Sequence, residues 1–533
     1  MKKSDIFIIL IDVLIVLVFY YFALPPINLS SPEFWTFLFM IFVIIFISLV
    51  LRNNINLIIG KHLNTKIFSI YKYFFLSIAL VYLVIGVINV FSTPLFNAKE
   101  YSNRITVDET HEFTEDVKPV DFSKIPLIDK YSSQKLGDRK MGEFTSWVSQ
   151  FYVSDLYTQI NFNNEIVRVT PIEYDGIIKY FTNRDEGVKG YIKVNSVDGS
   201  SELVELDEGM RYLPSAYFFE NLYRKLRIEY PTTIFDEASF EIDNEGNPYW
   251  VAPTIKYKGV GLKKEITGVV ILNAITGESK KYDVSNVPTW IDHVYNANLI
   301  IEQIDNWGEY RNGFINSIFG QKDVINTTEG YNYLVMDDDV YLYTGITSVS
   351  SDESNLGFVL VNMRTKETKY YLVPGAEEYS AMASAEGLVQ EKNYVASFPL
   401  LINLNNKPTY LLSLKDNAGL VKMYAFIDVA DYQKVVVSDA SLGIEAAAEK
   451  YLGDEINNIT GDIKEKDIII QSITNAVIDG NTYYYIIDTD GNLYSASIKV
   501  NKNILPFLKN EEKVTISYTE KTVSQITKIE RVK

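Results

Sequence analysis

Histidine, cysteine and paired carboxylates carry most acid–base and nucleophilic chemistry near neutral pH, and this chain supplies them unevenly. It has no cysteine, so thiol nucleophiles, disulfides and thiolate metal sites are excluded together. Outside the apolar N-terminal part only His111 and His293 occur. His111 lies in a polar stretch without periodicity. His293 follows Asp292 on a predicted helix, where sequence neighbours do not face each other. No G-x-S-x-G elbow, phosphate loop or H-E-x-x-H motif is present. Metal ligation would fall to carboxylates. Asp243-Asn244-Glu245-Gly246-Asn247 and Asp488-Thr489-Asp490-Gly491-Asn492 look like pieces of calcium loops. Neither is followed by the bidentate glutamate of an EF-hand, and Asp-Gly and Gly-Asn are ordinary hairpin chemistry. Both are read as turns, and neither a metal nor a cofactor is expected. Asp337-Asp338-Asp339 is read as a solvated strand edge, with Asp338 pointing away from its neighbours. A carboxylate pair for glycoside hydrolysis can be named anywhere among 68 acidic residues and so singles out nothing. The better candidate is a binding groove at Trp307, Tyr310, Arg311 and Asn312, flanked by Asp305, Asn306 and Gly308. Trp250 and Trp290 read as core.

The elements that must position these residues begin with three apolar runs, at 6–24, 34–51 and 67–91. Each suits a bilayer-crossing helix of roughly 20 residues. Pro25-Pro26 and the absence of a small-x-small site argue against a cleaved signal peptide, so 1–93 is expected to be a three-helix anchor. Lys2 and Lys3 precede the first run, and Arg52, Lys61 and Lys66 lie between the second and third. The positive-inside rule then places the N-terminus and second loop in the cytoplasm and everything after about 93 outside. Asp12 and Lys72 are ionisable groups at matching depths, about 10 Å in at ~1.5 Å per residue, and are candidates for an intramembrane pair. Residues 1–92 hold 6 Lys+Arg and 3 Asp+Glu, which leaves 44 basic against 65 acidic residues outside, a net charge of −21. Such a surface repels nucleic acid and anionic lipid head groups.

Residues 94–145 are polar and acidic and read as a stalk or linker. Strand patterns start near 151, giving a mixed β-rich domain at 146–214. The stretch 215–230, SAYFFENLYRKLRIEY, has helical spacing. A hairpin follows around 244–247, then a strand whose sequence from Gly268 is GVVILNAITGESKKY. This sequence returns 89 positions on as GFVLVNMRTKETKYY. Val269 and Ile271 face one way, Val270 and Leu272 the other. An apolar residue on both faces describes a covered strand and hence scaffold. Lys366 stands where the first copy has Gly277, which argues against a strict need for positive φ there. Residues 288–304 are read as helix. A second helix–hairpin–strand unit spans 375–440. The segment 441–533 opens with a helix and continues in strands that could close as a small β-barrel.

Helix, hairpin and a strand ending in Thr276-Gly277-Glu278 resemble the PepSY module over 215–282, and the unit at 375–440 resembles it again without that turn. The resemblance implies one helix on a small antiparallel sheet, and the binding or restraint of a protein partner. The expected fold class is therefore α+β: three transmembrane helices, then extracytoplasmic antiparallel sheets with single covering helices. Residues 215–374 would form a first PepSY-like unit with an inserted helical segment. The expected function is a non-enzymatic binding or scaffolding protein integral to a bacterial cell envelope, with a surface hydrolase acting on glycan or peptide as the alternative. The abundance of Ile, Asn, Lys and Tyr suits an AT-rich bacterial coding sequence.

Overall fold

A computed structural model describes residues 3–58, 65–336, 338–348, 354–453, 464–478, 481–519 and 524–531. The chain forms two units, one of residues 1–110 with 126–371, the other of residues 111–125 with 372–533. The fold is α+β, with several antiparallel sheets.

The first unit opens with helices Lys3–Ala23, Pro32–Ile58 and Thr65–Ser92. Stacked or edge-on aromatic pairs join them: Phe19–Phe37 at 5.3 Å, Phe42–Phe74 at 5.5 Å and Phe46–Phe75 at 4.7 Å. Among the described residues one stretch, Lys72–Ser92, is long and apolar enough to cross a membrane; Ile9–Ala23 and Pro32–Ser48 are shorter apolar helices.

Beyond Ser92 the same order of elements occurs repeatedly. In the first sheet, Phe151–Val153 and Thr158–Phe162 both pair with Glu165–Tyr174, which pairs with Val188–Asn195, which pairs with Ser201–Met210. The second sheet follows the same scheme with Ile234–Phe235, Ser239–Ile242, Pro248–Tyr257, Lys264–Asn273 and Ser279–Asp283. The third follows it with Ile325–Thr327, Asn332–Met336, Asp339–Ser348, Ser354–Asn362 and Thr368–Tyr371. A helix precedes each: Lys130–Gly142, Leu222–Glu229 and Ala297–Tyr310. Residues 215–374 are thus two sheets rather than one unit with a helical insertion. The helix Ala297–Tyr310 opens the second of them. It starts later than the sequence suggests because Asn296 caps it, accepting from the Leu299 N–H at 3.3 Å.

The duplicated stretch shows why the scheme recurs. Gly190, Gly268 and Gly357 each stand five residues before an asparagine, and a Cβ on any of them would meet a backbone carbonyl of the next strand at 2.7, 2.0 and 2.2 Å. Asn195, Asn273 and Asn362 each use the side-chain oxygen to accept two backbone N–H groups of the following turn. Four residues after each asparagine the backbone is left-handed, with φ of 76° at Gly199, 74° at Gly277 and 66° at Lys366. The positive φ is therefore kept where lysine replaces glycine. Lys366 tolerates it because its Nζ donates to the Arg104 carbonyl at 2.8 Å and to Gln303 Oε1 at 3.1 Å, offsetting a backbone cost of about 1 kcal/mol. Gly277 has no such freedom: a Cβ there would lie 2.2 Å from the Tyr212 ring. Gly277→Lys is expected to destabilise the protein by about 2 kcal/mol through overpacking and strain, measured by thermal unfolding. A change below a few tenths would refute this steric account.

Both faces of this strand are covered. Val270 and Leu272 belong to a core with Trp250, Phe240, Ile192 and Val194. Val269 and Ile271 belong to another with Ile300, Ile304, Val340 and Val361.

Residues 94–145 do not form a separate stalk. Pro94–Ser102 is a helix, with Tyr101 edge-on to Tyr310 at 6.3 Å. Phe113, Val117, Val120 and Phe122 are buried in the second unit, where the Asn403 Nδ2 donates to the Val117 carbonyl at 2.7 Å. Their polar neighbours mask the few apolar residues that anchor the segment.

The second unit repeats the sheet scheme once more, with Val395–Ala396, Leu400–Leu404, Lys407–Lys415, Val421–Asp428 and Val435–Asp439 after helix Glu378–Leu388. After helix Ile444–Leu452, five further strands pair in a ring: Lys464–Ile478, Asn481–Asp488, Leu493–Ser497, Ser524–Arg531, Lys513–Thr519 and back. The long first strand makes this geometry, pairing by its first half with Lys513–Thr519 and by its second with Asn481–Asp488. Ile470, Ile486, Val514 and Ile516 fill the interior.

Candidate functional site

The four residues of the expected groove come together, but around their own helix end. Trp307 is 9% exposed and packs on Tyr370 at 6.1 Å. The Arg311 guanidinium covers the Trp307 ring at 5.3 Å, while its Nε donates to the Asp323 carbonyl at 3.1 Å. Asn312 Nδ2 donates to the Lys322 carbonyl at 3.1 Å, and Tyr310 stacks on Phe314 at 6.3 Å. Arg311 Nε and Asn312 Nδ2 thus close the 313–323 segment, while Arg311 Nη1 reaches Glu109 at 3.5 Å. Arg311→Ala is expected to cost about 1 kcal/mol or less, from one partly exposed cation–π contact and the ion pair with Glu109, as read by thermal unfolding. A loss well above that would mean the side chain does more than close this loop.

The acidic turns bind themselves. Asp243 accepts from the Glu245 and Asn247 backbone and from Asn247 Nδ2. Asp488 accepts equivalently from Asp490 and Asn492, and also from Lys466 and Tyr494. Burial pushes the Asp488 carboxyl up, but Asn492 and Lys466 outweigh it and hold it at about 2. Among the described residues no group of three His, Cys, Asp or Glu could hold a metal ion. Asp337 lies outside the described residues. Asp338 is exposed, whereas Asp339 is buried and held by a bidentate Arg364 at 2.8 and 2.7 Å and by Asn362 at 2.8 Å. Asp339 is therefore part of an ion pair, not a solvated edge. Asp12 and Lys72 make no ion pair with each other; Lys72 is exposed and Asp12 partly so. His111 pairs with Asp116 at 2.8 Å.

Sequence reasoning missed two arrangements. The first is a buried ionisable seam where the first and second sheets meet the loop before Ala297–Tyr310. The Asp292 N–H donates to Glu241 Oε2 at 2.9 Å, Ser239 Oγ donates to Glu241 Oε1 at 2.8 Å, and the Asn161 N–H donates to Asp292 Oδ2 at 2.7 Å. His293 Nε2 lies 2.7 Å from the Gln159 carbonyl, which only accepts, so that nitrogen carries the proton. Burial pushes Glu241 up to about 7, and pushes Asp292 well above the usual carboxylate range with help from the Glu241 charge. Burial pushes His293 down to about 4. Perturbed groups of this kind mark candidate functional sites. Here both Glu241 oxygens and Asp292 Oδ2 are already committed to backbone and hydroxyl donors, so the chemistry available is proton uptake that tightens or loosens a seam. Alternation along Ser239–Ile242 was the available signal: it puts Glu241 on the face opposite Phe240 and Ile242, on a sheet covered on both sides.

The second is a collar that clamps the apolar helices to the second sheet and its helix. Arg227 Nε donates to the Leu24 carbonyl at 2.9 Å, and the Ile27 N–H to the Pro231 carbonyl at 2.8 Å. The Arg224 guanidinium lies 3.9 Å from the centre of the Tyr21 ring. At the tip of the hairpin between Pro248–Tyr257 and Lys264–Asn273, the Val260 N–H donates to Asn89 Oδ1 at 2.8 Å, Asn89 Nδ2 donates back to the Val260 carbonyl at 3.1 Å, and the Gly261 N–H donates to the Ser30 carbonyl at 3.1 Å. Lys258 and Lys263 both pair with Glu100. Arg104 completes the clamp from a fully buried position, bonded to Glu265, Glu302 and the Lys264 carbonyl. Paired donors and acceptors between two parts of a chain fix their relative orientation, which a flexible linker would not.

Compared with known proteins, the chain matches no family model and no curated sequence.

Proposed function

We propose that this protein is a membrane-anchored platform of the bacterial cell envelope. Its PepSY-like modules, four in series, bind or restrain a protein partner without catalysis. In this reading all three apolar helices span the membrane, the N-terminus and second loop are cytoplasmic, and the sheets lie outside. The observation that carries it is the collar. An enzyme that acts on diffusible or polymeric substrate is served by a tether; a clamp through Arg227, Asn89 and Arg104 holds the sheets at one attitude to the bilayer, as a docking platform requires. The aromatic residues Tyr20, Tyr21 and Trp35 at the collar end of the first two helices fit a membrane–water interface. A partner strand could add to Ser201–Met210, the acidic edge of the first sheet, by main-chain pairing. The test is crosslinking in cells that make the full-length chain, followed by affinity capture. A specific extracytoplasmic protein recovered above a tag-only control is the expected result. Recovery of none, together with turnover of a glycan or peptide by the purified protein, would replace this reading with the hydrolase.

A further inference from the structure

Beside the collar the first sheet carries an apolar cluster left exposed by the described residues. Helix Ile177–Asn183 exposes Ile177, Ile178 and Phe181, and the segment before Leu222–Glu229 exposes Phe218 and Phe219. Ile178 is 74% and Phe219 70% exposed, a heavy concentration for residues that sit so close together. The two groups touch, since the Phe181 and Phe218 rings lie 5.9 Å apart. Phe218 also holds a left-handed φ of 54°. A bulky residue rarely adopts that conformation without compensation. Here Arg224 supplies it by donating to the Phe218 carbonyl at 2.6 Å.

The same Arg224 sets the height of the cluster. Its guanidinium bonds Phe218 on one side and stacks on Tyr21 on the other. Tyr21 belongs to the last turn of the apolar helix Lys3–Ala23. Phe218 and Phe181 therefore stand level with the end of that helix, where a spanning helix meets the lipid headgroups. Lys179 lies between the exposed residues in sequence, a long cation suited to reach headgroup oxygens while its stem lies along apolar surface; Arg184 is instead turned onto the Tyr180 ring and Glu220.

We infer that Ile177, Ile178, Phe181, Phe218 and Phe219 form a second membrane contact, dipping into the headgroup–acyl boundary of the leaflet in which the first helix ends. This inference rests on the proposed membrane anchor. The occupant is lipid rather than a partner protein because the patch is continuous with the collar at the helix end. An interfacial apolar surface of this kind inserts only to shallow depth and would stop the ectodomain from tilting about the collar.

The absence of cysteine permits unique labelling. Ile178→Cys, Phe219→Cys and Leu83→Cys of the full-length chain would each carry an environment-sensitive dye, in phosphatidylcholine nanodiscs with spin labels at shallow or deep acyl positions. Leu83 is 63% exposed on the spanning helix and reports on the anchor itself. The expected result is blue-shifted emission at 178 and 219 quenched most by the shallow label, with 83 quenched most by the deep one. If 83 is quenched while 178 and 219 emit as in water, the second contact is overturned and the anchor stands; the patch is then free for a protein. If none is quenched, the anchor fails and the inference with it.

Discussion

Glu241→Gln is expected to flatten the stability of this protein between about pH 5 and pH 7 and to raise it at pH 8. The Glu241 carboxyl sits at about 7 in the folded chain, against 4.5 ordinarily, because it is buried. Its contribution to folding is fully present below the unfolded value and is lost as pH rises through the folded one. The loss is on the order of 3 kcal/mol, since each pH unit of difference is worth about 1.4 kcal/mol. Asp292, raised in the same direction, adds to that slope. His293 works the other way. Held down at about 4 from 6.5 by burial, it lowers stability as pH falls through that interval, so the native protein is expected to be most stable in mildly acidic solution. Glutamine keeps an oxygen for the Asp292 N–H, and its amide can donate to Ser239, whose hydroxyl turns to accept. Thermal unfolding of both full-length proteins in detergent at several pH values is the measurement. Curves that converge near pH 5 and part by pH 8 support the protonated seam. Parallel curves would mean that Glu241 is ionised throughout.

Arg104→Met is the second large effect, with an expected loss of about 3 kcal/mol, the lower part of the range for breaking a buried ion pair. The Arg104 side chain is fully buried; Glu265 and Glu302 are 33% and 52% exposed and recover some hydration when it is gone. The Lys264 carbonyl loses its 2.6 Å donor outright. Lys366, 3.9 Å from Glu265, compensates part of the charge but not the geometry. Because Arg104 follows the helix Pro94–Ser102, which continues the apolar helix Thr65–Ser92, the change should also loosen the collar. Faster amide exchange at Val260, whose N–H is held by Asn89, would report it. A loss under about 1 kcal/mol with unchanged exchange would show that the collar does not depend on this residue.

The duplicated stretch illustrates what could be read in advance. Alternation at Val269–Leu272 was enough to see a strand covered on both sides, because period two is a local property of the backbone. The shared Asn and Thr of the two copies were visible as identities, and they are the residues that hold the turn. The copy beginning at Gly190 was not seen, since Asn195-Ser196-Val197-Asp198-Gly199 keeps the hydrogen-bonding roles with other side chains. The candidate groove at Trp307–Asn312 meets a related ambiguity. Aromatic and polar residues in a row look alike whether they bind a ligand or close their own loop, and only the positions of the Asp323 and Lys322 carbonyls distinguish the two.

The apolar N-terminal helices, the acidic remainder, the absence of thiol chemistry and the α+β class can all be read along the chain. These follow from composition and short-range periodicity, which water and backbone geometry enforce locally. Folding adds that one sheet scheme occurs four times among the described residues, that Glu241, Asp292 and His293 share a buried seam, and that Arg104, Arg224 and Arg227 clamp the helices to the second sheet. Those arrangements join residues roughly 50 to 200 positions apart, and no local pattern encodes which distant donor will meet which acceptor.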